Sequence, residues 1–300
     1  MPETLALYTT WYPGIERFLP AWENSVLGQT DRGFDVWIGA DDLDPEQLCE
    51  RLGLEIRADW LVGGPSESPA QIRSRAIETI CSQYAGVVFV DSDDILEPTR
   101  IRAAREALEN FDVVGCALRI VDGDGRDSGA QFEPPKAVEW DRFLPRWNVF
   151  GLSNSAYRCE VLRRCLPFPA ETILIDWLLV TRAWSLGASL YFDRTVRMFY
   201  RQYAANIARV LPPFSPSEVQ AAATRVAGHY EGLLQDGDWI LSKTCRSALV
   251  QAQEGLATFR AAIGDSRRLA AYVEALNELP PRYVWWWAVA NPDLEAIWRN

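Results

Sequence analysis

Four consecutive apolar residues, Val87 to Val90, run directly into Asp91-Ser92-Asp93-Asp94, and this junction constrains the fold more tightly than any other stretch. A segment apolar at every position suits a strand covered on both faces, at the centre of a sheet with helices above and below. The surrounding pattern agrees. The β-rich runs LALYTT, DVWIGA and LEIRADWLV alternate with helical patterns over Ile15–Leu27, Pro45–Leu52 and Gln71–Gln83, and a further helix is expected over Pro98–Asn110. Such alternation predicts an α/β fold, a mostly parallel sheet flanked by helices in the Rossmann-like manner. The acidic residues after Val90 then lie at the carboxyl edge of the sheet, where open α/β sheets bind their ligands.

The pattern changes further on. DVVGCALRIVDGDGRD carries two apolar runs about a tight turn and predicts a hairpin, followed by irregular chain to about Asn148. From about Pro212 three amphipathic stretches with Ser or Asp at their starts predict a helical appendage. The expected organisation is therefore an α/β domain over residues 1–210 and a mostly helical extension over 211–300. A helix is also expected to carry Trp285, Trp286 and Trp287, packing onto the body or offering peripheral contact to a membrane surface.

A net charge of -11 argues against proteins that bind by neutralising nucleic-acid phosphates or anionic lipids. Any phosphate has to be held locally, by a cation or a few arginines. The six cysteines include no Cys-x-x-Cys pair and read as reduced core thiols of a cytoplasmic protein. His229, the single histidine, has no partner at metal spacing, and no Gly-x-Ser-x-Gly elbow exists to pair with it, so a serine hydrolase is disfavoured.

Carboxylates crowded at a strand end repel one another, so Asp91, Asp93 and Asp94 point to a divalent cation with hard oxygen ligands, Mg2+ or Mn2+. The competing reading is an acidic helix start. Asp41 and Asp42 end a second strand, at one edge of the same sheet, and are positioned for a nucleobase or ribose or simply for turn chemistry. GGPSESPAQIRSRAIET places a Gly- and Pro-rich loop before a helix bearing Arg73 and Arg75, which suits phosphate oxygens. It has no Gly-Lys-Ser/Thr ending, so a P-loop kinase or ATPase has no support here. The small and polar segment GLSNSAYR, from Gly151 to Arg158, is expected to face an acceptor.

These segments, in this order, resemble the family 2-like glycosyltransferases with the GT-A fold. ENSVLGQTDRGFDVWIGADD is similar to the family's opening helix and second strand. IRSRAIET with VVFVDSDD is similar to its arginine-bearing helix and metal-binding Asp-x-Asp. ILIDWLLVTRAWSLGASLYFD is similar to the segment with its catalytic carboxylate, and FYRQYAANIAR to its closing segment. The resemblance covers roughly residues 5 to 210. It implies a metal-dependent transferase taking a sugar from a UDP- or GDP-sugar to a glycan, lipid-linked or small-molecule acceptor. Thr10, Tyr12 and Asp41 or Asp42 would contact the nucleotide, and Arg73, with Arg75 as its rival, would lie near the donor. Asp91 would touch ribose or metal and Asp93 the metal. Arg201, with Gln202 and Asn206, would close over the donor. Asp176 would be the general base of an inverting transfer, although Ile175 stands where the family often has a second carboxylate. The alternatives are a noncatalytic nucleotide- or glycan-binding protein of the same fold, or a nucleotidyltransferase, whose Gly-rich basic loop YTTWYPG lacks.

Overall fold

The computed structural model describes residues 4–299, which form an α/β protein organised as two compact units. The first takes the described residues up to Gln131 together with Phe150–Arg201; the second takes Phe132–Val149 and the chain from Gln202 onward.

In the first unit β1 (Leu5–Trp11), α1 (Leu19–Leu27), β2 (Phe34–Ala40), α2 (Pro45–Leu52), β3 (Asp59–Val62), α3 (Pro69–Cys81) and β4 (Gly86–Phe89) follow the expected alternation. They continue into β5 (Ile95–Leu96), α4 (Arg100–Leu108), β6 (Val113–Asp122) and β7 (Asp127–Phe132). One nine-stranded sheet runs β3-β2-β1-β4-β8-β6-β9-β5, with β7 paired to β6 as the predicted hairpin. Here β8 is Ser155–Arg158 and β9 is Leu190–Gln202, separated by α6 (Cys159–Cys165) and α7 (Ile175–Ser185).

The first four strands of this order are all parallel, in a register that aligns Trp11, Ala40 and Val62. Their carboxyl ends therefore share one edge. β1 and β4 are buried at every position, as continuous apolar runs covered on both faces require. Local signals set the helix starts. Asp44 caps α2 by accepting from the Gln47 N–H, and Ser68 and Gln71 form a reciprocal capping box on α3, with Pro69 at its first position.

The second unit is mainly helical: α5 (Trp140–Phe143), α8 (Pro216–Gln235), α9 (Lys243–Ala262), α10 (Ser266–Glu278) and α11 (Glu295–Trp298). The excursion over 132–149 belongs to it because α5 packs on α9 and Tyr230 Oη donates to the Pro145 carbonyl at 2.5 Å.

Trp285, Trp286 and Trp287 correct an expectation. They lie in turns and not on a helix, since Pro280 and Pro281 interrupt the backbone ladder just before them and Trp286 takes a φ of 71°. All three are at most 5% exposed, with Trp285 against Phe132, so they present no surface for peripheral contact. Among the described residues no helix is long and apolar enough to cross a membrane. Five of the six cysteines are buried, and His229 is packed inside α8.

Candidate active site

The acidic turn grows out of β4. Val90 N–H donates to the Tyr8 carbonyl at 3.1 Å, extending the β1–β4 ladder, and Ser92 Oγ donates to the Thr10 carbonyl at 2.7 Å. The turn closes with Asp94 N–H on the Asp91 carbonyl at 3.1 Å. Asp91, Asp93 and Asp94 each bring a carboxylate oxygen to within 4.8 Å of the others. Burial, then the Asp93 charge, pushes the Asp91 carboxyl up to about 7, with Arg73 opposing the shift and Asp176 adding to it. Burial together with Asp93 and Asp91 drives Asp94 well above the usual carboxylate range. Three acids held this close resist full ionisation without a counter-charge.

The three are not equivalent. Asp94 is fully buried and both its oxygens are engaged: one accepts the Ser153 hydroxyl, the other the Arg201 N–H at 2.7 Å. Strand register explains both partners. Ala156 pairs with Val88, which brings Ser153 alongside the acidic turn, and Ile95 pairs with Phe199, which brings Arg201 beside Asp93. The Arg201 guanidinium donates to the Asp93 carbonyl and lies 4.9 Å from the centre of the Phe18 ring. Asp94 thus braces the turn, leaving Asp91 and Asp93 as the better pair for a cation.

Asp176 occupies the first turn of α7, half-buried, and its charge is felt by Asp91 and by buried Tyr157. A helix start stabilises a carboxylate. The two arginines of α3 also separate. Arg75 is bound to Glu67 through two nitrogens at 3.0 and 2.7 Å and to the Val62 carbonyl at 2.9 Å, which holds the Glu67 carboxyl below its ordinary range. Both arginines act on Tyr8, but Arg73 alone of the two acts on Asp91.

Asp41 and Asp42 follow β2, with Asp41 N–H on the Trp11 carbonyl at 2.9 Å and Asp42 in the left-handed region at φ 50°, which aspartate tolerates. Both line an open cavity of about 1000 Å³ with Asp44, Glu46, Trp60 and Glu67, beyond the carboxyl ends of β2 and β3. Thr10 is buried near the end of β1 and Tyr12, just beyond, is 37% exposed.

One expected role changes. Ser153, Asn154 and Ser155 are buried and face inward: Asn154 Nδ2 donates to the Cys116 carbonyl at 2.6 Å and Ser155 Oγ to the Gly151 carbonyl at 2.6 Å. GLSNSAYR therefore satisfies the backbone of a buried bend and does not face an acceptor. In the second unit Gln202 accepts from the Val210 N–H and donates to the Ala208 carbonyl, and Asn206 accepts from the Tyr203 N–H, which orders the bend that follows β9. The brace Ser153 has no local signature of its function.

The fold is one shared with solved glycosyltransferases, at sequence identities that establish architecture alone. A mannosyltransferase, PcManGT from Pyrobaculum calidifontis, in complex with GDP-Man and Mn2+, superposes with a TM-score of 0.57 at 13% identity, over 92% of this chain and 76% of that one. S. aureus TarS 1-349 in complex with UDP-GlcNAc gives 0.53 at 16% identity, over 85% of this chain and 72% of that one. Against a longer TarS chain the match spans only 43% of its length. No family profile and no curated sequence matches the chain.

Proposed function

We propose that this protein is a glycosyltransferase that moves a sugar from a nucleotide diphosphate donor to a hydroxyl acceptor. The observation that carries the reading is the close set of Asp91 and Asp93 at the carboxyl edge of a parallel sheet, on a fold shared with enzymes solved with UDP-GlcNAc or with GDP-Man and Mn2+. In this reading residues 1–210 carry donor binding and catalysis.

Asp91 and Asp93 offer hard oxygen donors in a shared, partly desolvated site, a set that fits Mg2+ or Mn2+. Such a cation, when bound, positions the donor diphosphate and offsets charge on the departing nucleotide. The protein's own groups do the rest. Thr10, Tyr12 and the Asp41–Asp42 cavity hold base and ribose. Arg73 faces the diphosphate, while Arg75 orders the Gly63–Glu67 loop through Glu67. Arg201 holds the acidic turn from behind through its bond to Asp93.

Asp176 takes the proton of the acceptor hydroxyl as that oxygen attacks the anomeric carbon opposite the diphosphate, so the transfer inverts configuration. Buried Ile175 precedes it, so Asp176 is the single carboxylate at this helix start. The same isoleucine motivates the second reading, a protein of this fold that binds nucleotide without turning it over.

Thermal unfolding with UDP or GDP, with and without Mn2+, tests the site. A cation-dependent rise in Tm that is lost in Asp93→Ala is expected, since a ligand confined to the native state adds about 2.7 kcal/mol at a hundredfold excess over Kd. No shift with either nucleotide overturns the account of the site. Asp176→Asn separates the two readings: turnover of UDP- or GDP-sugars should fall by about 10²- to 10⁴-fold while the Mn2+-dependent shift persists. Parent protein that binds but releases no nucleoside diphosphate is a binding protein.

A further inference from the structure

The second unit holds a cavity of its own, about 260 Å³, between the bend at residues 204–209, one face of α8, and Trp286 with Ala288. The α8 face presents Glu218, Ala221, Ala222 and Arg225, spaced three and four residues apart and therefore stacked along one side of the helix. The alanines leave the space open. Trp286, 5% exposed, gives the cavity an aromatic wall.

The charges in this cavity do not cancel. Arg209 Nη1 meets Glu218 Oε1 at 3.1 Å, and the other Glu218 oxygen accepts from Ser215 N–H and Oγ, both at 2.7 Å. Glu218 is therefore consumed by Arg209 and by the helix cap. Arg225, half-buried on the same face, has no ion pair or hydrogen bond among the described residues. One uncompensated guanidinium thus remains in a concave site of a chain whose net charge is -11. Carboxylates are abundant elsewhere in this chain, yet none is supplied to this cation. A guanidinium of this kind matches a carboxylate or phosphate group of a ligand.

The size narrows the ligand. A bare phosphate leaves most of the space empty, whereas 260 Å³ lies near the lower end of small-ligand pockets, roughly 300–1,000 Å³, and accommodates one sugar-sized ring. The C–H face of such a ring packs against an aromatic and alanine-lined wall. We infer that this cavity binds a single sugar unit bearing one anionic group, a carboxylate or a phosphate, with Arg225 as its charge partner. This is a glycan site carried by the second unit alone and additional to the donor site, and it suits an acidic glycan as the transferase's acceptor or product.

Saturation-transfer NMR on the full chain with glucuronic acid, glucose 6-phosphate and glucose tests it. Transfer to one or both acidic sugars is expected, and which of them responds separates carboxylate from phosphate. The signal should drop at least fivefold in Arg225→Gln and in Ala222→Leu, which fills the space, and should survive in Asp93→Ala. Ala222→Leu reads the site if Arg225→Gln fails to fold, and the melting temperature of each variant checks that it is native. No transfer to either acidic sugar, equal transfer to glucose, or transfer undiminished in the folded variants overturns the inference. The nucleotide shifts tested above report on the first unit, so either reading can fail while the other stands.

Discussion

Asp91 and Asp94 sit at the same turn, within reach of the same neighbours, yet their oxygens have different fates. Asp94 has a hydroxyl and a backbone N–H to accept from, while Asp91 is raised to about 7 by burial and by Asp93. A cation that takes Asp91 as an anion has to displace its proton, so cation affinity depends on pH. The folded value lies above the ordinary 3.8, and the proton is bound below about 7 and absent above it. Mn2+ affinity is therefore expected to rise about fivefold between pH 6 and pH 7 and to flatten above pH 8, as the release of one proton requires. Titration calorimetry in two buffers of different ionisation enthalpy measures both the affinity and the proton count. A flat affinity from pH 6 to 8 would show that Asp91 is not a ligand.

At the scale of elements, the acidic turn is held by strands and helices that approach it from distant parts of the sequence. Gln29, just after α1, is 1% exposed; its amide donates to the Glu97 carbonyl at 2.9 Å and accepts from the Ile101 N–H at 3.1 Å. Thr30 adds its own N–H to the Pro98 carbonyl at 2.8 Å. Ser25 joins them by accepting from the Leu96 N–H. Together these bonds clip α1 to the chain between β5 and α4 and fix the segment that leaves the aspartates. Gln29→Ala strands the buried Ile101 N–H and removes one of two bonds to the Glu97 carbonyl, which keeps the Arg100 N–H, and this costs about 1–3 kcal/mol. Urea unfolding should show a lower midpoint with an unchanged slope, and Mn2+ affinity should weaken with it. An unfolding free energy within a few tenths of a kcal/mol of the parent's would mean that the clamp is not structural.

For the whole molecule, two groups pull stability in opposite directions with pH. His229 has its pKa lowered from 6.5 to about 3 by burial, so the unfolded chain binds a proton that the native state refuses between those values. Stability from this group is complete above about 6.5, falls by roughly 1.4 kcal/mol per pH unit below it, and levels off near pH 3. Asp91 has the reverse sign: it stabilises below 3.8 and loses that contribution as pH rises through 7. Their sum conceals each, so the informative quantity is a difference. The stability of His229→Phe relative to the parent should improve steadily as pH drops from 7 to 4.5. Denaturant unfolding at four pH values measures it, and a constant difference would place His229 in contact with water.

What the amino-acid sequence determined alone is whatever depends on neighbours in the chain. The alternation of apolar runs and amphipathic stretches is a local property, and it was enough for the α/β sheet, the hairpin after α4 and the three long helices of the second unit. Caps such as Ser68 with Gln71 and Ser215 with Glu218 act over three residues, and the acidic cluster is contiguous, so these too are legible from the chain. Tertiary structure decided the rest. Asp94 differs from its neighbours because of Ser153, 59 residues away, and Arg201, 107 residues away; Arg75 is committed because Glu67 folds back beneath it. The turn at Trp285–Trp287 and the inward-facing serines of the bend before β8 are likewise settled by what packs against them. Propensity and spacing constrain where a side chain starts, but a polar atom's role depends on which partners the fold brings within about 3 Å, and those partners come from across the sheet.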